Sequence, residues 1–251
     1  MNSKPKAWVA LKPTPNYALT SFLKGFERLG YQTCHGYTLT PGPNDVLLIW
    51  NRWRAEEQAA IAFEGAGRPV LVAENGYLGK QFNGHRWYAI SRNYHNGAGT
   101  WEVGGAERWE RYGCELKPFR TSGTEMVLLP QRFIGCAGVA MPRGWTERAL
   151  SQVQARVRPH PGINPCKDLE EDLADAHSVY TWGSGAAIKA LTYGIPVIHD
   201  MPNWIGAPAA SRLGHALNHS EEDRLKMFQR LIWAMWTLDE VEEGTPFKVL
   251  L

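Results

Sequence analysis

The chain has 251 residues, of which 44% are hydrophobic and 21% are charged, and its formal net charge is +2. This composition excludes a disordered chain, and the sequence holds no run of about 18 apolar residues that could span a membrane. The four cysteines lack CxxC spacing, which excludes an evident zinc site or a disulfide framework. We therefore expect a cytoplasmic globular protein without a secretory signal, with room for two small domains.

The first half of the chain predicts alternating strands and helices. Strands are predicted at residues 7–11, 46–50 and 69–73, and helices at residues 17–29 and 54–63. Strands that alternate with helices favour a parallel sheet covered on both faces. Residues 74–119 are rich in Gly, Asn, Trp and Tyr, and a long irregular segment of this kind is usually functional.

The second half predicts a similar series. Strands are predicted at residues 126–130, 157–158, 178–181 and 196–199, and helices at residues 146–155, 169–176, 186–193 and 221–238. The pattern breaks at Lys117-Pro118 and at Thr121-Ser122-Gly123, which places the predicted domain boundary between residues 122 and 123. We predict an α/β fold of two Rossmann-like domains, residues 1–122 and 123–251, that face each other across a cleft.

A turn of small residues, Trp182-Gly183-Ser184-Gly185, lies between a predicted strand and a predicted helix. Its backbone N–H groups can approach a ligand closely, and the N-terminus of the following helix favours negative charge. We interpret this turn as a binding site for the phosphate of a nucleotide. The alternative is an ordinary strand–helix crossover with a glycine-rich turn.

Two more strand ends in the second half carry basic or amide side chains. In Arg158-Pro159-His160-Pro161 two prolines restrict the backbone around a cation and a hydrogen-bond donor, and this chemistry suits a phosphate. Gln131 and Arg132 follow the strand predicted at residues 126–130 and offer an amide and a charge. The alternative for the basic segment is a solvated turn.

The candidate catalytic residues lie in the first half. Glu74 directly follows a predicted buried strand, and a carboxylate in such a place suits the role of a general base. His95, in the irregular segment, is a second candidate for proton transfer. The alternatives are a solvated turn at Glu74 and a hydrogen-bonded surface position for His95.

Several short segments together resemble the GT-B glycosyltransferases of bacterial capsule polysaccharide synthesis, including the Kdo transferases. They are Glu74-Asn75-Gly76-Tyr77, where the family tends to have Glu-Asp-Gly-Phe, Leu129-Pro130-Gln131, Arg158-Pro159-His160-Pro161, residues 179–198, and residues 236–241 with Gly244. The resemblance implies that His160 and Ser184 hold the donor nucleotide and that Glu74 takes part in catalysis. It also implies a UDP- or CMP-sugar co-substrate and no catalytic metal, and the sequence has no clear Asp-x-Asp motif.

Three features distinguish the chain from the capsule enzymes. Asn75 replaces the family's Asp, and the chain is much shorter than a typical capsule transferase. Residues 1–125 hold 15 Lys and Arg against 11 Asp and Glu, so this half carries the positive charge. Compact GT-B enzymes of phages glycosylate hydroxymethylated pyrimidines in DNA, and this resemblance predicts DNA as the acceptor.

The predicted acceptor-binding residues have aromatic or amide side chains, and the predicted phosphate contacts are basic. The first set is Trp53, Asn75, Tyr77, Asn96 and Trp101, and the second is Arg52, Arg54, Lys80, Arg86 and Arg92. The sequence therefore predicts a metal-independent glycosyltransferase that modifies a hydroxymethylated base in DNA. The alternatives are a transferase that acts on a cell-surface glycan and a non-catalytic nucleotide- or nucleic-acid-binding protein.

Overall fold

The computed structural model describes residues 4–96, 98–161 and 166–251, and these divide into two units. The first unit holds residues 4–95, 99–104 and 232–251. The second holds the described residues among 96–98 and 105–231. Both are α/β units with parallel strands, which confirms the predicted fold class at this level.

Strands and helices are numbered along the whole chain. The strands of the first unit are β1 (Lys6–Ala10), β2 (Gln32–His35), β3 (Val46–Ile49), β4 (Val70–Asn75), β5 (Gln81–Phe82), β6 (His85–Arg92) and β11 (Met235–Thr237). Its helices are α1 (Leu19–Arg28), α2 (Ala55–Gly65), α8 (Leu238–Glu243) and α9 (Thr245–Leu250). The strand order is β11–β6–β4–β3–β1–β2, with β5 paired to β6. β1 to β4 are parallel, whereas β6 runs antiparallel to β4 and β11.

The apolar sequence of the central strands explains this sheet. All four residues of β3 are buried, as are the first four residues of β4, so these strands are covered on both faces. Ala59, Ala60 and Phe63 of α2 pack against Leu47 and Ile49 of β3 on one of these faces. The carboxyl ends of the parallel strands meet at one edge of the sheet. Glu74 lies at this edge, near the end of β4.

The second unit has a smaller parallel sheet. Its strands are β7 (Glu125–Leu129), β8 (Arg156–Val157), β9 (Ala176–Thr181) and β10 (Val197–His199). Its helices are α3 (Glu107–Tyr112), α4 (Trp145–Gln152), α5 (Leu169–Asp172), α6 (Gly185–Thr192) and α7 (Glu221–Leu231). The strand order is β10–β9–β7–β8. Trp145 and Ala149 of α4 pack against this sheet at Leu128, Tyr180 and Ile198.

The structure corrects the long helix predicted at residues 221–238. α7 ends at Leu231, and after a 3-10 turn the chain forms β11, in which Met235 pairs with Ala89 and Trp236 pairs with Tyr88 of β6. Apolar spacing alone does not distinguish these residues from a continued helix, but all three residues of β11 are buried against β6. Residues 232–251, predicted in the second domain, therefore belong to the first unit.

The segment after β11 forms a short capped helix. Thr237 and Glu240 make a capping box, in which the Thr237 hydroxyl accepts from the Glu240 N–H at 3.2 Å and the Glu240 carboxylate accepts from the Thr237 N–H at 2.8 Å. The helix ends at Gly244, which has a φ of 85°. Among the helices of the described residues, none combines the length and the apolar character needed to cross a bilayer.

Gly25 sets the distance between α1 and the C-terminal helices of the same unit. A Cβ atom at this position would lie 2.1 Å from the carbonyl oxygen of Val241 and 2.7 Å from Cε2 of Phe247. Because the first of these is a backbone atom, the helices would have to move apart. We expect Gly25→Ala to lower the free energy of unfolding by about 1–3 kcal/mol, as measured by urea denaturation.

Gly65 provides the matched control. It is the last residue of α2, and a Cβ atom there would meet no atom within 4 Å. Gly65→Ala is expected to leave the free energy of unfolding unchanged or to raise it by up to about 1 kcal/mol. Equal unfolding free energies for the two variants would contradict the close approach at Gly25.

Candidate functional site

The turn between β9 and α6 is built on a buried threonine that the sequence analysis missed. The Thr181 side chain is fully buried, and its hydroxyl donates to the carbonyl of Leu129 at 2.8 Å. The same oxygen accepts from the Ser184 N–H at 3.0 Å. Ser184 then caps α6, because its hydroxyl accepts from the Ala186 N–H at 3.2 Å. Its position two residues before Gly183 is the only signal in the sequence for this role.

The surroundings of the two glycines in the turn differ. A Cβ atom on Gly183 would lie 2.6 Å from the sulfur of Met201, so packing inside the second unit requires glycine there. A Cβ atom on Gly185 would meet nothing within 4 Å. The open approach to the backbone that a phosphate needs is therefore at Gly185, at the N-terminus of α6.

Two amide side chains meet at the carbonyl oxygen of Gly183. The side-chain nitrogen of Asn96 donates to it at 2.9 Å, and that of Gln131 donates at 3.2 Å. Asn96 is 7% exposed, so this predicted acceptor residue lies with the predicted donor turn. The side-chain oxygen of Gln131 is buried and has no hydrogen-bond partner among the described residues. These amides fix the orientation of the turn.

His160 and Arg132 follow strands of the second sheet and lie within electrostatic range of each other. Burial lowers the pKa of His160, and the nearby cations Arg132 and Arg158 lower it further. The imidazole is therefore mainly neutral at neutral pH. Arg132 is exposed. A bound anion would oppose the effect of the two cations and favour protonation of His160.

The contacts of Arg158 favour a structural role over the predicted contact with phosphate. Arg158 is 6% exposed, and its Nε lies 2.6 Å from a carboxylate oxygen of Asp172. One of its terminal nitrogens donates to the carbonyl of Lys167 at 2.9 Å. The guanidinium thus connects β8 to the segment that forms α5. Trp182 also has an internal contact, since its ring N–H donates to the carbonyl of Val139 at 3.1 Å.

In the first unit the candidate base is held by a tyrosine. Glu74 is half-buried at the end of β4, and the Tyr77 hydroxyl donates to one of its carboxylate oxygens at 2.7 Å. Tyr77 is only 6% exposed, so its hydroxyl faces Glu74 within the unit. Asn75, between them, is exposed.

His95 lies within electrostatic range of Glu74. His95 is 5% exposed, and its Nδ1 is buried without a hydrogen-bond partner among the described residues. Burial lowers the pKa of His95, whereas the negative charge of Glu74 acts in the opposite direction. The two predicted catalytic residues are thus brought together in one unit, and His95 is a buried neutral imidazole rather than a surface histidine.

The predicted phosphate contacts at Arg52 and Arg92 are used inside the first unit. All five N–H donors of Arg52 are occupied, four by Glu57 and Glu64 and one by the carbonyl of Asn93. Arg52 is 2% exposed, and its guanidinium also stacks over Tyr94 at 4.4 Å. Arg92 donates to Glu102 and to two carbonyls of α9. The donors of Arg52 are therefore all used inside the unit, whereas Arg92 is partly exposed and uses three of its donors in these bonds.

The predicted stacking residues differ in exposure. Trp53 is 41% exposed, and the guanidinium of Arg54 lies 4.0 Å from its ring centroid. Trp101 is 9% exposed and belongs to the interior of the first unit. Trp53 is therefore the member of this pair that presents a ring to solvent.

The described residues contain no group of three or more His, Cys, Asp or Glu side chains placed to hold a metal ion. A cavity of about 440 Å³ lies at the amino-terminal edge of the second sheet. In it, Arg156 is already paired with Glu125 and Asp172. Because ligands of parallel sheets collect at the carboxyl ends of the strands, the turn at Ser184 is the better candidate site.

Comparisons with known proteins identify a similar fold. No protein-family model matches the sequence, and no curated protein is similar to it in sequence. Two solved structures from Thermosulfurimonas dismutans are similar. One is KpsC, beta Kdo 2,4 transferase, with a TM-score of 0.55, 16% identity and coverage of 92% of this chain and 91% of that chain. The other is KpsC, beta Kdo 2,7 transferase, with a TM-score of 0.52, 12% identity and coverage of 98% of this chain and 100% of that chain. At this identity the likeness shows the fold.

Thr181→Val tests the support of the turn. Valine keeps the shape of the side chain but leaves the buried Ser184 N–H without its acceptor, so we expect the free energy of unfolding to fall by about 1–3 kcal/mol. Urea denaturation measures this loss. Thr192→Val is the control, because Thr192 is half-buried and donates only within the last turn of α6. An equal loss in both variants would contradict the special role of Thr181.

Proposed function

We propose that this protein is a glycosyltransferase of the GT-B type that transfers a sugar from a nucleotide sugar to an acceptor hydroxyl. The observation that carries the proposal is the capped turn at Ser184 and Gly185, which combines open backbone with a helix N-terminus. The likeness to two KpsC Kdo transferases over more than nine tenths of the chain supports it. In this proposal the two units are the two Rossmann-like domains of that fold.

The second unit binds the donor in this proposal. The backbone at Gly185 and the start of α6 receive the phosphate in this proposal. His160 and Arg132, which lie within electrostatic range of each other, are proposed as further donors to it. A helix N-terminus and these side chains can balance the charge of a UDP- or CMP-sugar without a metal ion, so we propose a metal-independent transfer. Gln131 and Asn96 support the turn through the carbonyl of Gly183.

The first unit supplies the base. The acceptor oxygen forms a bond to the anomeric carbon of the donor sugar, while the bond from that carbon to the phosphate oxygen breaks. The departing nucleotide keeps the electron pair of the broken bond, and the proton of the acceptor hydroxyl passes to the Glu74 carboxylate. This assignment applies to an inverting transfer, and His95 is the second candidate for the proton acceptor.

We propose a glycan hydroxyl as the acceptor, ahead of a hydroxymethylated base in DNA. A DNA-binding surface needs basic side chains that are available for phosphates, and all five donors of Arg52 are used inside the unit. The two similar structures are Kdo transferases, and the resemblance to the capsule polysaccharide transferases implies a glycan acceptor. Arg54, Lys80, Arg86 and the partly exposed Arg92 are the predicted phosphate contacts that remain for the DNA alternative.

The experiment that tests the proposal measures transfer by mass spectrometry. The protein is incubated with UDP- and CMP-sugars and with two acceptors, an oligosaccharide mixture and hydroxymethylated duplex DNA. We expect a mass increase of one sugar on the oligosaccharide. Sugar transfer to the DNA and not to the oligosaccharide would contradict the glycan acceptor and support the DNA alternative. No transfer, together with normal nucleotide binding, would favour the non-catalytic binding protein.

Glu74→Gln tests the base. The amide cannot take a proton at neutral pH, so we expect the transfer rate to fall by about 10²–10⁴-fold. Donor affinity, measured by calorimetry, should stay within about twofold, because in this proposal the turn binds the donor and Glu74 acts on the acceptor hydroxyl. Glu56→Gln is the control, since Glu56 lies in the first turn of α2 rather than at the end of β4. Full activity of Glu74→Gln would remove this residue from the mechanism.

Donor affinity should depend on pH through His160. Because the pKa of His160 is lowered in the free protein and a bound phosphate favours the imidazolium, binding takes up a proton. We therefore expect affinity for the intact nucleotide sugar to rise as pH falls from 8 towards 6. The bound phosphates of a nucleotide sugar are diesters that stay ionised over this range. Calorimetry at several pH values measures the change, and His160→Gln should abolish it; an unchanged pH dependence in that variant would contradict the role of His160.

A further inference from the structure

The end of β4 is a turn whose geometry is closely fixed. The N–H of Gly76 donates to the carbonyl of Trp87 at 3.2 Å, and the N–H of Gly79 donates to the carbonyl of Gly76 at 3.0 Å. A Cβ atom on Gly76 would lie 2.6 Å from Cβ of Trp87 and 2.9 Å from the carbonyl oxygen of Gly79. The turn therefore passes directly over β6, with no room for a side chain at Gly76. This close approach determines where the next residue, Tyr77, is placed.

Tyr77 follows this turn, and its side chain points back towards Glu74 in β4. Its ring is almost fully buried, at 6% exposure, and its hydroxyl donates to a carboxylate oxygen of Glu74 at 2.7 Å. A hydrogen bond to an ionised carboxylate is about twice as strong as one between neutral groups. Because a buried ring has few alternative positions, this bond fixes the direction of the carboxylate as well as holding it.

The charged groups around Glu74 do not replace this bond. His95 is near Glu74, and burial keeps its pKa low, so it carries little positive charge at neutral pH. Arg52 is also near His95, but its five donors are directed to Glu57, Glu64 and the carbonyl of Asn93. Neither His95 nor Arg52 therefore replaces the hydrogen bond by which Tyr77 orients the Glu74 carboxylate.

We infer that Tyr77 is a positioning residue that orients the carboxylate of Glu74 for its reaction, rather than a residue that contacts the acceptor. The orientation itself follows from the contact between the two side chains. Its kinetic consequence rests on the proposed function, in which Glu74 takes the proton of the acceptor hydroxyl. The sequence prediction placed Tyr77 in the acceptor site, and the hydroxyl that would have served there is directed to Glu74.

Tyr77→Phe removes the hydroxyl and keeps the ring. We expect kcat for sugar transfer to fall by about 10- to 100-fold, because the base is no longer held in its reactive direction. The KM values for donor and acceptor should stay within about twofold. A residue that binds the acceptor would instead raise the acceptor KM. Circular dichroism and thermal unfolding establish that the variant is folded.

A second measurement does not need activity. The protein is labelled with ¹³C at the side-chain carboxyl carbons of glutamate, and the Glu74 signal is assigned by its loss in Glu74→Gln. At fixed neutral pH we expect this signal to move in Tyr77→Phe, since the carboxylate has lost a hydrogen-bond donor. Tyr31→Phe is the control, because Tyr31 is half-buried in the same unit and packs against Phe26, away from the end of β4.

The two measurements separate the inference from the proposed function. A Glu74 signal at the same position in wild type and in Tyr77→Phe overturns the inference, whether or not the protein transfers a sugar. An active wild type whose Tyr77→Phe variant keeps its kcat, or loses activity only through acceptor KM, also overturns it. A wild type that transfers no sugar to any acceptor contradicts the proposed function, and the carboxyl signal still decides the role of Tyr77.

Discussion

The antiparallel pairing of β6 is the constraint on which most of the first unit depends. β6 pairs with β4 on one side, which places Trp87 under Gly76 and so shapes the turn that carries Tyr77 back to Glu74. On its other side it pairs with β11, which adds residues 232–251 to the sheet. The same strand leads into Asn93, whose carbonyl takes one donor of Arg52. A single strand therefore connects the candidate base, the C-terminal segment and the buried ion cluster.

Some basic side chains that the sequence places at predicted binding sites form buried ion pairs inside the protein instead. Arg52 and Arg158 are basic residues near strand ends, which is where phosphate-binding side chains are expected, yet both are buried in ion pairs. Removing a charge from water costs several kcal/mol, and the paired carboxylates and carbonyls offset that cost. Removing Arg52, for example, would take away the four hydrogen bonds that it donates to Glu57 and Glu64. The loss would therefore appear first as lower stability, and a change in ligand affinity would not by itself identify a binding residue.

Local sequence patterns predicted the buried parallel strands well, because β3, β4, β7 and β9 are apolar runs bounded by turn residues. They missed the parallel strand β2, whose residues are only half-buried or exposed. They did not predict β11, since Met235 and Trp236 also continue the helical spacing of α7, and only pairing with a strand some 150 residues away distinguishes the two. The contacts of Arg52 and Tyr77 could not be predicted from the sequence for a related reason. A side chain's partner depends on which way a turn folds, and residue type does not determine that direction. The places of Glu74 at the end of β4 and of the turn at Ser184 after β9 were predictable, because position after a strand is itself a local signal. Their roles in a reaction, like that of His95, stay predictions.

The two candidate sites use different physical means to hold their reactive groups. At Ser184 the support comes from neutral groups: a buried threonine hydroxyl, a helix cap and two amides. Such a turn carries no full charge, so it can receive an anion without first breaking an ion pair. At Glu74 the reactive group is itself charged, and the neutral hydroxyl of Tyr77 holds it. A cation in that place would put a second full charge beside the carboxylate, whereas a neutral donor fixes the direction of the carboxylate without one.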